Sequence, residues 1–232
     1  MKVKFEIPQT LNSITLGQYQ NFQKVLKENE GAEESSFVAM KMLEIFCNAD
    51  FEKIRNVDLG VFDVALNKLK EVLEMKPSMS KKIVVDDTEY GFIPDLENIT
   101  LGEYVDLEKY IADPMTFHKA MAVLYRPIKM KVKDTYLIED YIGTEDRGEI
   151  MKEAGLSDTL GAMLFFWTLG RELVSDILAS LKEEGLKTTN TENDHSSHSD
   201  GDGINQSYIL QMETLLKSIE SQSYLFTNVC LN

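Results

Sequence analysis

Cysteine, histidine, proline and tryptophan are all scarce in this 232-residue chain, which has two, three, five and one of them respectively. The two cysteines, Cys47 and Cys230, are far apart and form no Cys-x-x-Cys pair. That spacing excludes a disulfide framework or a zinc-ligand set and suggests a reducing compartment. No glycine-rich phosphate loop, dinucleotide fingerprint or Gly-x-Ser-x-Gly elbow occurs, so no cofactor and no catalytic residue is expected. Positive charge is in deficit: 24 basic against 39 acidic side chains give a net charge of −15. Such an excess repels phosphate backbones and anionic headgroups, which argues against nucleic acid and membrane surfaces as partners. Long hydrophobic runs are missing too. The longest, Ala162 to Trp167, is far too short to cross a bilayer. The first residues lack the apolar segment of a secretory signal, so the expected location is intracellular.

What remains is an ordinary globular composition, 43% hydrophobic and 27% charged, at a length suited to one domain with an appendage or two small ones. Its clearest internal feature is a repeat. Phe5 to Pro8 followed by Ile14-Thr-Leu-Gly-Gln-Tyr19 matches Phe92-Ile-Pro94 followed by Ile99-Thr-Leu-Gly-Glu-Tyr104. Each copy places a proline at the end of an extended stretch and then a Thr-x-x-Gln or Thr-x-x-Glu capping box, Thr15 with Gln18 and Thr100 with Glu103. Ile14 and Ile99 precede the caps as staples. Gly17 and Gly102, at the second helical position, are suited to close packing against a strand. The pattern reads either as a duplicated strand–turn–helix unit or as two corners with the same capping chemistry.

Alternation at Val3, Phe5 and Ile7 predicts an N-terminal strand. Helices are expected over about 16–28, 37–47, 50–54, 59–74, 101–111, from Pro114 to about Tyr125, 145–154 with Gly155 as its C′ residue, and 158–184. Residues 81–93 read as a hairpin turning at Asp86 to Glu89. The predicted class is α+β, mostly helical, with the N-terminal strand and this hairpin as a small antiparallel sheet. The 158–184 helix is apolar around most of its first half, so it is either central to the core or meets a partner. Residues 1–187 form the expected globular domain. The polar stretch 188–203 reads as a linker, and 204–232 as an isolated amphipathic helix and tail.

Candidate sites are few. Asp194, His195, His198, Asp200 and Asp202 cluster in the linker without the register of a calcium loop, so they read as solvated chain and no metal site is expected. His118 is a lone histidine without a triad pattern. Lys129, Lys131 and Lys133 alternate on an extended stretch, as an acidic-partner site or as the lysine guard of an edge strand.

The blocks from Ile99 to Glu108 and from His118 to Ile128 resemble a family of tailed-phage proteins, the tail assembly chaperones and T4-type baseplate-hub assembly proteins. The resemblance spans about residues 1–185. It implies a non-catalytic protein that binds the tape-measure or another tail component during morphogenesis in the host cytoplasm, with no catalytic residue to carry over. The expected contact surfaces are Phe165, Phe166, Trp167 and Leu169 on the long helix, and Ile209, Met212, Leu216 and Ile219 on the terminal one. A virion component, such as a baseplate or head–tail connector subunit, is the alternative, and an enzyme is the third reading.

Overall fold

The computed structural model describes residues 5–32, 35–96, 98–133 and 135–189. Helices dominate, and a four-stranded antiparallel sheet completes an α+β fold. The helices are α1 (Leu16–Glu28), α2 (Ser36–Phe46), α3 (Phe51–Ile54), α4 (Leu59–Leu73), α5 (Leu101–Tyr110), α6 (Phe117–Leu124), α7 (Glu145–Met151) and α8 (Leu156–Thr189). The strands are β1 (Lys82–Val85), β2 (Thr88–Phe92), β3 (Tyr125–Val132) and β4 (Thr135–Ile138). The chain divides into two compact units between Met163 and Leu164.

The helix starts follow from local side chains. Thr15 accepts the Gln18 amide at 3.2 Å while Gln18 Oε1 accepts the Thr15 N–H at 3.0 Å. Thr100 and Glu103 repeat the exchange at 3.3 and 2.6 Å. Both predicted capping boxes are therefore closed. Ser35, Asp50 and Asp58 cap α2, α3 and α4. Asn48, just past α2, adopts φ +47°, the left-handed conformation in which Asn commonly ends a helix.

The sheet runs β1-β2-β3-β4. Asp86 and Asp87 both have positive φ, so a two-residue turn joins β1 to β2, shorter than the four residues the sequence suggests. The predicted third strand is corrected. Residues 5–7 lie in no strand, residues 2–4 are outside the described residues, and β3 takes that place beside β2. Side-chain packing explains the pairing. Phe92 and Tyr125 stand opposite each other with rings 5.2 Å apart. The Tyr136 ring lies over Gly91, where any Cβ would fall 2.3 Å from it, and its hydroxyl donates to the Phe92 carbonyl at 2.8 Å. β3 pairs with β2 over its first three residues and with β4 beyond, so the lysine-bearing half from Ile128 to Val132 is paired on the β4 side alone among the described residues. Its lysines face acids of the same chain: Lys129 bonds Asp140 at 2.9 Å and Lys131 pairs with Glu89.

The core of the first unit gathers on α6, where Phe117 and Ala120 to Leu124 are fully buried, with Leu156 and Met163 of α8 equally enclosed. α6 starts three residues later than Pro114 predicts. The Pro114 carbonyl is taken by Gln20 Nε2 at 2.7 Å instead of a helical N–H, and the Thr116 N–H bonds Asp113 in a tight turn. Phe37, at the start of the apolar α2, is exposed and lies edge-on to Phe51. α7 ends at Met151, and Gly155 is not left-handed. It bridges to Thr15, and Asn12 sits where its Cβ would be. Gly17 meets the Lys152 carbonyl, not a strand, and Gly102 meets the Tyr141 ring.

Candidate functional site

Of the expected contact residues on α8, two face outward. Phe165 and Leu169 are 38% and 42% exposed, and at i and i+4 they share one helix face. Phe166 is half-buried with its ring edge-on to that of Phe165 at 5.4 Å, and Trp167 is buried at 7%. The Trp167 position therefore corrects the reading of one continuous apolar patch. On a helix, 165 and 169 stack one above the other, whereas 167 points about half a turn away. Ile209, Met212, Leu216 and Ile219 lie outside the described residues, as does the Asp194–Asp202 cluster.

Within the first unit, a polar cleft of about 520 Å³ opens beside the start of α1. Its wall includes Lys24, Lys152 and Glu153 with Gln18, Asn48 and His118. The α1 terminus itself has no N–H to offer a ligand here. Leu16 donates to the Ala154 carbonyl at 2.9 Å, Gly17 to that of Lys152 at 2.7 Å, and Gln18 to Thr15. Recognition in the cleft would thus fall to the lysine ammonium groups and the side-chain amides. Gln18 is already engaged, donating to the Ile45 carbonyl at 2.8 Å. Among the described residues no group of three His, Cys, Asp or Glu side chains is placed to hold a metal ion.

His118 is the one perturbed base of the cleft wall. Gln20 Nε2 lies 3.0 Å from its Nδ1 while also donating to the Pro114 carbonyl. In the tautomer whose Nδ1 accepts from this amide, the ring proton is on Nε2, 3.7 Å from Glu149. Burial lowers the His118 pKa below the ordinary imidazole value, with Lys152 and Lys119 adding to the effect. Glu149 and a hydrogen bond to the Met115 backbone oppose it. Because folding favours the neutral ring, its contribution to stability is complete above the unfolded pKa of about 6.5 and is lost as pH falls below that value. The urea midpoint of the protein should therefore drop between pH 7 and pH 5 by more than that of His118→Gln, which cannot titrate. Parallel pH profiles for the two proteins would contradict this assignment.

No local pattern points to the cleft, because its walls come from α1, the end of α2, α6 and the turn before α8. Asn48 was the one local clue, an asparagine directly after an apolar helical run. Nor did the repeat reveal that its two copies differ in surroundings, which sets apart Leu101, Tyr104 and Val105, all exposed. Among the described residues no helix is long and apolar enough to cross a membrane. In comparisons with known proteins, the chain matches no family model, no curated protein and no solved structure.

Proposed function

We propose that this protein is a non-catalytic tail assembly protein of a tailed phage, a chaperone that binds the tape-measure or another tail component while the tail is built. The observation that carries the reading is the outward pair Phe165 and Leu169 on α8, large apolar side chains on the longest helix of a chain with net charge −15. An apolar stripe suits the face of a long helical partner, and the surrounding negative charge keeps the loaded complex dispersed. The motif blocks at Ile99 to Glu108 and His118 to Ile128 support the same assignment.

Co-expression with the long tape-measure protein of the same tail-gene cluster tests it. The soluble fraction of that partner is expected to rise, and the double change Phe165→Ser/Leu169→Ser should weaken the complex by roughly two orders of magnitude, the worth of two half-buried apolar side chains. Unchanged solubility of the partner would overturn the reading. A permanent virion component is the alternative, and detection of the chain in purified particles favours it over a chaperone. The polar cleft beside His118 supports a third reading, a small-molecule enzyme. Metabolite turnover abolished by His118→Gln would establish that one instead.

A further inference from the structure

The two copies of the repeat share a sequence and a capping box but not their surroundings. In the first copy, the backbone flanking Thr15 is clamped by the turn before α8. Leu156 N–H donates to the Ile14 carbonyl at 2.8 Å, Leu16 N–H donates to the Ala154 carbonyl at 2.9 Å, and Gly17 N–H donates to the Lys152 carbonyl at 2.7 Å. These bonds make a one-residue antiparallel bridge between Thr15 and Gly155. They cover Leu16 and Tyr19, which are 1% and 2% exposed, and bury Leu156 completely.

The corresponding groups of the second copy are the Ile99 carbonyl and the N–H groups of Leu101 and Gly102. None of the three makes a hydrogen bond among the described residues. The side chains that a covering strand would enclose stand in the open, Leu101 at 78% and Tyr104 at 52%. The capped helix is not loose, since Glu103, Leu107 and Tyr110 bury its other face. So the backbone groups that take a strand in the first copy have no such partner in the second, where the Tyr141 ring packs beside Gly102 and the Leu101 side stays open.

We infer that the start of α5 is a docking site for an extended segment of another polypeptide, basic in charge, which adds a one-residue antiparallel bridge at Thr100 as Lys152–Leu156 does at Thr15. The first copy specifies the segment. It presents two carbonyls, two residues apart, to Leu101 and Gly102, and an N–H to Ile99. A small residue sits opposite Thr100, and an apolar one follows to cover Leu101. Charge specifies the rest. Residues 95–113 carry six carboxylate side chains against Lys109 alone, and five are left once buried Glu103 is set against Arg126, so a cationic segment is attracted and a second copy of this chain, at −15, is repelled. This surface lies in the first unit and is independent of the α8 face, so either assignment stands without the other.

Amide spectra of the ¹⁵N-labelled full chain, titrated with two synthetic peptides at low salt, test the site. One peptide has the sequence of residues 150–158 and the other has Glu153→Lys and Asp158→Lys within it. The basic peptide is expected to shift the Leu101 and Gly102 amides, leave Leu16 and Gly17 in place, and bind about tenfold more tightly than the unaltered one. Leu101→Pro removes the donor and the apolar side chain together. It should keep the fold, because proline suits the first helical position and Thr100 already has the extended ψ of 158° that a following proline requires. It should also abolish the shifts. If distant amides move in that variant, Tyr104→Ser replaces it, with several-fold weaker binding expected. The proposal is overturned if millimolar concentrations of either peptide leave Leu101 and Gly102 unmoved. It also fails if the shifts survive in both variants, or if these amides respond to protein concentration alone, which would make a second copy the occupant.

Discussion

Arg126→Met is expected to lower the free energy of unfolding by about 3–5 kcal/mol, a large share of a typical domain's stability. Arg126 Nη2 and Glu103 Oε1 lie 2.7 Å apart with both side chains nearly out of water, and they join the first turn of α5 to β3. Glu103 also closes the capping box, its Oε2 accepting from the Thr100 N–H at 2.6 Å and the Thr100 hydroxyl at 2.7 Å. Removing the guanidinium leaves that carboxylate buried with cap donors alone. The pair is nonetheless imperfect, because Arg126 Nε has no hydrogen-bond partner. Most of the loss in the single variant is therefore the penalty of an orphaned charge and not the net worth of the pair. The first repeat copy shows how to separate the two, since Gln18 closes the same cap with a neutral amide. The double variant Arg126→Met/Glu103→Gln keeps the cap and deletes both charges, and it should recover about 2 kcal/mol of the loss. Urea unfolding at pH 7 with an unchanged slope reads all the values. A midpoint unmoved by Arg126→Met would mean that the ion pair does not hold α5 to the sheet.

That buried pair also shows where the sequence stops being legible. The capping boxes at Thr15 and Thr100 were readable because their partners are three residues away. Helix positions for α1, α4 and α5, and the β1–β2 hairpin, follow from short-range periodicity in the same way. Arg126 and Glu103 are 23 positions apart, and nothing in either neighbourhood announces the other. The same limit explains the third strand. Val3, Phe5 and Ile7 alternate as a strand should, yet alternation shows only that a stretch fits a pleated surface, and the position beside β2 went to β3 through Phe92–Tyr125 and Tyr136 over Gly91. For the candidate surfaces, hydrophobic residues on α8 were evident but not their directions. Trp167 and Phe165 are equally apolar, and two positions on a helix turned one inward and the other outward. The repeat misled in one respect: equal sequences suggested equal surroundings, whereas the first copy is covered by a segment about 140 residues away in the chain and the second is not.

Gly161 supports the second large expectation, and its sign is the informative part. A helical glycine replaced by alanine ordinarily gains about 1 kcal/mol through helix propensity. Here a Cβ would fall 2.4 Å from the Met79 nitrogen and 2.5 Å from the Ser78 carbonyl carbon. Both are backbone atoms that no rotamer change moves. The chain at 78–80 is fixed from several sides, with the Ser78 N–H donating to Ser157 Oγ at 3.1 Å and Tyr125 Oη donating to the Ser80 carbonyl at 2.7 Å. The Tyr125 ring is itself fully buried. Relieving the clash must therefore displace either the start of α8 or the irregular segment leading into β1. Gly161→Ala is expected to destabilise by about 2–3 kcal/mol, overpacking outweighing the propensity gain. Gly102→Ala is the control, since its Cβ would meet only the Tyr141 ring at an ordinary 3.6 Å. It should be neutral or stabilise by a few tenths of a kcal/mol. Thermal or urea unfolding of the two variants side by side decides the matter. If Gly161→Ala proves as stable as Gly102→Ala, α8 does not rest on the backbone of Ser78 and Met79, and the glycine has no packing role there.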